Sequence, residues 1–173
     1  RDRAPEEFFL FGNGASDLID RFLRALRPRR ALLLAPTFSE YRRGLEGIGW
    51  EIEAFFLDKG NGFTISESIL NAVCPGVDLV FLCDPNNPTG RRMEPELLQA
   101  LLDRCREAGA FLAVDQCFLE LTEGDQNALV SELAGGGLFL LRALTKSYAL
   151  AGLRLGYCLC GDRPLLERME GLG

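Results

Sequence analysis

The stretch RALTKSYALAGLRLGY, residues 142–157, decides the fold. It follows an apolar run, 138–141, that predicts a buried strand. Lys146 then stands where that strand ends, and Arg154 follows eight residues later. The carboxyl end of a sheet strand is where open α/β sheets bind ligands. There, the amine of Lys146 can attack a carbonyl group and form a Schiff base. The plain alternative is a surface lysine, because lysines are mostly exposed.

The composition fits one globular chain with a sizeable core: 173 residues, 47% hydrophobic, 25% charged and a net charge of −6. Charges of both signs are spread along the chain, with no basic patch that would indicate nucleic acid. No apolar run approaches the roughly 18 residues of a transmembrane helix. We therefore expect a small-molecule partner, no nucleic acid and no membrane.

Six cysteines occur without a CxxC pair, and the chain has no histidine. This composition argues against a zinc site, a histidine-based triad and a two-histidine iron site, so we expect no metal. Free, mostly buried thiols are typical of a reducing cytoplasm, which is the predicted location.

Apolar runs predict strands at 8–11, 31–35, 50–57, 77–83, 110–114, 138–141 and 155–160. Between them, helical spacing predicts a first helix that begins with Ser16 as N-cap and ends at Pro28. Further helices are predicted at 38–48, 66–73, 94–105 and 127–133. Strands that alternate with helices in this way indicate an α/β fold of three layers, α/β/α, with a mostly parallel sheet.

Chemically distinctive groups follow five of these strands. They are the glycine-rich turn 12–16, Phe38, Asn87, Asp115 and Lys146. Loops after parallel strands lie at one edge of the sheet, so we expect these groups to meet. An amine, a carboxylate, an amide, an aromatic face and a helix N-terminus that favours anions suit a planar, phosphorylated, nitrogen-containing aldehyde. Pyridoxal 5′-phosphate is such a molecule, with the lysine on its aldehyde and a carboxylate at its ring nitrogen.

Each group also has a purely structural interpretation. A turn accounts for residues 86–90, a helix cap for Asp115, a core aromatic for Phe38 and a salt-bridged surface arginine for Arg154. The turn at 12–14 lacks the third glycine of a dinucleotide fingerprint, which leaves a nucleotide-binding Rossmann-like domain as a weaker alternative.

Taken together, NPTG at 87–90, Asp115 at a strand end, Thr145-Lys146 and AGLRLG at 151–156 resemble fold type I aminotransferases of classes I and II. The resemblance spans roughly residues 9–169. It is closest to the branch of histidinol-phosphate aminotransferases and threonine-phosphate decarboxylases. It implies that 1–173 is the truncated pyridoxal-phosphate-binding large domain of a homodimeric enzyme, without the N-terminal arm and the C-terminal small domain. A processed small protein is the alternative.

The resemblance also implies residue roles. Lys146 would form the Schiff base and move protons at the substrate α-carbon, while Asp115 would keep the pyridine nitrogen protonated. The other cofactor contacts would be Asn87 at the 3′-oxygen, Phe38 on the ring, and Gly14, Ala15, Ser16, Thr145 and Arg154 around the phosphate.

Three positions depart from the family pattern. Phe118 stands where a tyrosine usually donates to the 3′-oxygen, Gln116 where glutamate is usual, and Ala143 where a serine or threonine is common. Phenylalanine at position 118 is similar to threonine-phosphate decarboxylases. The implied reaction is therefore decarboxylation of O-phosphothreonine to aminopropanol phosphate, used in cobalamin biosynthesis. The alternatives are a histidinol-phosphate or other amino-acid aminotransferase, and a non-catalytic cofactor-binding fragment.

Overall fold

The computed structural model describes residues 2–27, 29–123, 128–147 and 151–173. The strands are β1 (Phe9–Gly12), β2 (Arg30–Ala35), β3 (Glu51–Phe56), β4 (Leu79–Cys83), β5 (Phe111–Asp115), β6 (Leu138–Ala143) and β7 (Gly156–Cys160). The helices are α1 (Ala15–Leu26), α2 (Ser39–Gly47), α3 (Ile69–Ala72), α4 (Pro95–Ala108), α5 (Leu144–Ser147) and α6 (Arg163–Glu170).

Within the described residues, the seven strands form one sheet in the order β1-β7-β6-β5-β4-β2-β3. Strands β2 to β6 are parallel, whereas β7 is antiparallel to both of its neighbours, β6 and β1. Only β7 therefore runs in the opposite direction, and the loops after β1, β2, β4, β5 and β6 share one edge. The prediction of a mostly parallel sheet is confirmed.

The sheet is buried on both faces. Helices α1, α2 and α6 cover one side, where Phe22 and Leu165 are fully buried, and α3 and α4 cover the other with Ile69 and Leu101. Every residue of β4 and β6 is buried, as expected of inner strands with helices on both sides. These layers confirm the three-layer α/β/α class.

The start of α1 differs from the prediction. Gly14, not Ser16, is the N-cap, and Ser16 lies inside the first turn with its side chain exposed. Gly14 adopts a φ of 82°, a conformation that glycine reaches without the strain other residues meet, so the chain enters the helix two residues earlier. At the other end the helix closes with Arg27 in the left-handed conformation, and Pro28 lies outside the described residues.

Two further boundaries differ. The α3 helix is only Ile69–Ala72, and the segment predicted as helix 127–133 forms a 3₁₀-helix at Val130–Gly135, with Asn127 outside the described residues. Strand β6 runs two residues beyond its apolar core because Arg142 and Ala143 pair with β7. None of the helices within the described ranges is both long and apolar enough to cross a bilayer.

Candidate active site

The shared edge of the sheet contains a cavity of about 220 Å³. All ten predicted site residues line it: Gly14, Ala15, Ser16, Phe38, Asn87, Asp115, Phe118, Thr145, Lys146 and Arg154. Tyr41, Cys83, Cys117 and Ala143 complete the lining. Asp115 is 5% exposed, whereas Lys146 and Arg154 are exposed. The cavity therefore leads from two cations at its rim to a buried carboxylate.

Asp115 ends β5, and its carboxylate accepts hydrogen bonds from Tyr41 and from both the thiol and the backbone N–H of Cys117. The hydroxyl of Tyr41 donates over 2.6 Å, and the backbone N–H of Cys117 donates over 2.9 Å. Burial raises the pKa of Asp115 above its usual value, and these hydrogen bonds only partly oppose that shift. A buried carboxylate of this kind suits a cationic N–H donor, because such a partner compensates for the lost solvation of its negative charge.

The N-terminus of α1 and Arg154 together form a surface that suits an anion, the candidate anion-binding surface. Gly14 has no side chain with which to cap the first turn, whose N–H groups have no partner within a helix. The guanidinium of Arg154 lies so close that a Cβ on Gly14 would stand 3.2 Å from Nη2. Backbone N–H groups, the positive end of the helix dipole and a guanidinium together suit a phosphate group.

Gly156 allows this anion-binding surface to form. A Cβ at Gly156 would lie 2.8 Å from the carbonyl carbon of Gly14 and 3.0 Å from the nitrogen of Ala15, and backbone cannot move aside as a side-chain tip can. We expect Gly156→Ala to displace the turn and weaken binding of inorganic phosphate about tenfold, or about 1.4 kcal/mol. Isothermal titration calorimetry measures the affinity.

Gly152→Ala is the matched control, because a Cβ at Gly152 would meet no atom of the described residues within 4 Å. Equal phosphate affinity in the two alanine variants would contradict the expectation, provided that circular dichroism shows both to be folded.

Asn86 joins two loops of the site. It is 1% exposed, and its Oδ1 accepts from the Thr37 hydroxyl over 3.0 Å. Its Nδ2 donates to the Pro36 carbonyl over 3.0 Å and to the Thr89 hydroxyl over 2.9 Å. The loop that carries Phe38 is thus fastened to the loop that carries Asn87. The sequence prediction assigned no role to Asn86, whose partners Thr37 and Pro36 lie 49 and 50 residues away along the chain.

We expect Asn86→Ala to lower the free energy of unfolding by about 2 kcal/mol, because it leaves the Pro36 carbonyl and two hydroxyl groups without this partner. Urea denaturation measures the change. Asn61→Ala is the control: Asn61 is exposed and its side chain accepts only from the backbone N–H of Thr64 among the described contacts. A loss no larger than that of Asn61→Ala would show that Asn86 does not fasten the loops.

Phe38 and Tyr41 lie one turn apart at the start of α2. Phe38 is half-buried, and its ring contacts Tyr41 edge-on, with ring centres 5.5 Å apart at 80°. Tyr41 is fully buried, and its ring stacks on Phe81 at 4.3 Å. Burial, and to a smaller extent the charge of Asp115, raises the pKa of Tyr41 well above its usual value. Its hydroxyl therefore remains a donor. The helix pattern placed Tyr41 on a packed face and did not show its role in the site.

The three departures from the family pattern have distinct surroundings. Phe118 and Ala143 line the cavity without offering a hydroxyl. Gln116 is buried, and its Oε1 accepts from Nε of Arg142 over 3.3 Å. The side chain at 116 therefore links the ends of β5 and β6 through a hydrogen bond.

Two thiols flank Asp115. Burial raises the pKa of Cys83 to about 12 and that of Cys117 well above its usual value. Both thiols are neutral near pH 7 and are poor nucleophiles there. All six cysteines are free, and the described residues contain no group of three or more acidic, cysteine or histidine side chains that could hold a metal ion. Lys146 is thus the nucleophile that the cavity offers.

The three-layer fold and the cavity at the carboxyl edge of a mostly parallel sheet define the chain as an α/β protein of the kind that binds ligands at that edge. Residues 2–173 match the family model described as aminotransferase class I and II, and the chain belongs to this family. The resemblance deduced from the motifs is confirmed.

Individual relatives match nearly the whole chain. It is 38% identical over 168 residues to the threonine-phosphate decarboxylase of Salmonella typhimurium, covering 97% of this chain and 46% of the relative. It is 32% identical over 168 residues to the histidinol-phosphate aminotransferase of Methanopyrus kandleri, covering 95% of this chain and 41% of the relative. The chain spans about half the length of the curated relatives it matches.

Solved structures confirm the fold. The histidinol-phosphate aminotransferase of Clostridium acetobutylicum superposes with a TM-score of 0.86 at 25% identity, over 96% of this chain and 49% of that chain. The L-threonine-O-3-phosphate decarboxylase of Porphyromonas gingivalis superposes with a TM-score of 0.80 at 22% identity, over 99% of this chain and 49% of that chain.

Proposed function

We propose that residues 1–173 are the large domain of a pyridoxal-phosphate-dependent enzyme and bind the cofactor in the cavity at the sheet edge. The observation that carries the proposal is the convergence of all ten predicted residues on one cavity. A lysine, a buried carboxylate and an anion-binding helix start, supplied by different loops, are the three groups that this cofactor requires.

Each part of the cofactor has matching residues in the cavity. Lys146 would hold the aldehyde carbon, Asp115 would face the ring nitrogen, and the turn at 14–16 with Thr145 and Arg154 would hold the phosphate. Phe38 would cover the ring, with Asn87 at the 3′-oxygen and Phe118 beside it. When bound, the cofactor supplies an electron sink that stabilises negative charge at a substrate α-carbon.

Asp115 and Lys146 would then have separate roles in the reaction. Asp115, once paired with a protonated ring nitrogen, keeps that nitrogen charged, and a buried pair of this kind is stronger than one in water. Lys146 is exposed at the cavity rim, where a substrate can reach it, so its amine is placed to carry the proton to and from the α-carbon.

For the full-length protein we propose decarboxylation of O-phosphothreonine to aminopropanol phosphate, in a cytoplasmic homodimer that acts on a small phosphorylated amino acid. The 38% identical decarboxylase and the phenylalanine at 118 support this choice. The second candidate is histidinol-phosphate aminotransferase. A 32% identical relative and the structure with 25% identity support it.

Borohydride reduction tests cofactor binding. After incubation with pyridoxal phosphate and reduction, the intact mass of the chain should increase by one reduced cofactor. An unchanged mass, with pyridoxal phosphate also failing to bind in calorimetry, would contradict the proposed function.

A substrate assay on the full-length protein separates the two reactions. We expect release of CO₂ from O-phosphothreonine without any 2-oxo acid. Turnover of histidinol phosphate that requires 2-oxoglutarate, with no release of CO₂, would establish the aminotransferase instead.

A further inference from the structure

Tyr41 contacts two candidate cofactor residues at once. Its hydroxyl donates to Oδ2 of Asp115 over 2.6 Å, and its ring meets Phe38 edge-on at 5.5 Å. Asp115 lies 74 residues further along the chain, on a different element. Tyr41 is therefore the one side chain among these contacts that touches both the acid at the cavity floor and the aromatic ring at its wall.

The ring of Tyr41 is itself held firmly. It stacks on Phe81 of β4 at 4.3 Å with an angle of 19°, and Phe81 meets Phe22 edge-on at 6.2 Å. Phe22 in turn stacks on Phe139 of β6 at 4.0 Å. All four rings are fully buried, so this aromatic column leaves Tyr41 little freedom to turn.

We propose that Tyr41 is a positioning residue of the cofactor site, which orients the carboxylate of Asp115 through its hydroxyl and the ring of Phe38 through its edge. The inference rests on the proposed function, since both partners are assigned to the cofactor there. Tyr41 does not itself need to touch the cofactor's reacting atoms.

The hydroxyl also affects the charge of Asp115. Its hydrogen bond favours the ionised carboxylate and so lowers the pKa of Asp115 against the larger effect of burial. The other titratable or charged groups that face this carboxylate or share the cavity are Cys83 from β4, Cys117 after β5, Lys146 from α5 and Arg154 before β7. The Cys117 thiol also hydrogen-bonds this carboxylate and lowers its pKa, and the Tyr41 hydroxyl adds a second side-chain hydrogen bond with the same effect.

Tyr41→Phe tests the proposal, because it removes the hydroxyl and keeps the ring. We expect the Kd for pyridoxal phosphate to rise roughly tenfold, the loss of one hydrogen bond to a charged group. The increase should grow as the pH falls, because the carboxylate of the variant takes up its proton at a higher pH than that of the parent.

Tyr157→Phe is the matched control. Tyr157 is also a buried tyrosine whose hydroxyl donates to a carboxylate, that of Asp2 over 2.5 Å, but it does not line the cavity. Its replacement should leave the Kd for pyridoxal phosphate unchanged. Equal Kd values for the Tyr41→Phe variant and the parent would overturn the proposal.

A cofactor-free measurement separates this inference from the proposed function. The carbon-13 shift of the Asp115 carboxyl, followed by NMR against pH, should show a higher midpoint in Tyr41→Phe and an unchanged one in Tyr157→Phe. If the parent binds no pyridoxal phosphate, the proposed function fails, and this midpoint alone decides whether Tyr41 controls the acid.

Should Tyr41→Phe fail to fold, 3-fluorotyrosine at position 41 keeps the shape of the side chain. Its more acidic hydroxyl donates more strongly, so the Asp115 midpoint should move down rather than up. A midpoint that does not respond to the fluorine would overturn the proposal.

Discussion

Lys146→Ala is expected to abolish covalent attachment of pyridoxal phosphate, so that borohydride reduction leaves the mass of the variant unchanged. Only a primary amine condenses with the aldehyde, and Lys146 is the amine that the cavity offers. The chain contains just two lysines, Lys59 and Lys146, so a label lost on replacement of Lys146 can be assigned to that side chain. Intact mass spectrometry with and without borohydride measures the effect.

Lys59→Ala is the matched control. Lys59 is exposed in a short 3₁₀-helix and is absent from the cavity lining. This variant should be labelled as fully as the parent, and peptide mapping should place the label on the peptide that contains residue 146. Labelling of Lys146→Ala to the same extent as the parent would reject the assignment, because the remaining label would then sit on Lys59 or the terminal amine.

Loss of the covalent bond should not remove all affinity. The anion-binding surface at 14–16, Arg154 and Asp115 are unchanged in Lys146→Ala, so inorganic phosphate should bind with the affinity of the parent. This second titration distinguishes a missing amine from a collapsed cavity.

The convergence of the site was predictable from the sequence because it depends only on strand direction. Phe38, Asn87, Asp115 and Lys146 each follow a strand, and parallel strands end at one edge of a sheet. No side-chain geometry was needed for that step. The same reasoning carried the turn at 12–14, since β1 runs in the direction of the parallel strands.

The reversed direction of β7 was not predicted, although a signal was available. Only twelve residues, 144–155, separate β6 from β7. Within the described part of this segment, the α-helix α5 is four residues long. About twelve residues is the lower limit for a crossover to a parallel neighbour, which usually passes through a full helix, whereas an antiparallel neighbour can follow a shorter connection. The apolar pattern of β7 gives a buried strand but contains no information about direction.

Tyr41 and Asn86 could not be assigned from the sequence because their roles depend on non-local contacts. The bond from Tyr41 to Asp115 spans 74 residues, and the bond from Thr37 to Asn86 spans 49. Periodicity correctly placed Tyr41 on the packed face of α2, but only the three-dimensional arrangement shows that its hydroxyl reaches the acid. Ser16 failed as an N-cap for a local reason, since the backbone freedom of Gly14 outweighed the capping preference of serine.

Asp115→Asn is expected to have opposite effects on stability and on binding. Without cofactor, the variant should be at least as stable as the parent near pH 7. Its affinity for pyridoxal phosphate should fall by about 100-fold or more, because removing one partner of a buried charge pair costs about 3–5 kcal/mol. The amide can still accept from Cys117 and can donate to Tyr41, so the fold keeps both contacts.

The sign of the pH dependence follows from burial. The folded-state pKa of Asp115 is raised above the ordinary value of about 3.9, so this group stabilises the cofactor-free fold while it is protonated. That contribution is complete below the ordinary value and is lost as the pH rises through the raised folded value. An asparagine does not titrate. The stability difference between variant and parent should therefore grow in favour of the variant across this window.

Urea denaturation of the cofactor-free proteins over a pH series measures the stability difference, and calorimetry with pyridoxal phosphate measures the affinity. Asp84→Asn is the control: Asp84 is a buried carboxyl directly after β4, its pKa is also raised by burial, and it does not line the cavity. Asp84→Asn should change stability with pH while binding the cofactor as the parent does. Asp115 cannot be the partner of the ring nitrogen if its asparagine variant binds pyridoxal phosphate as tightly as the Asp84 variant.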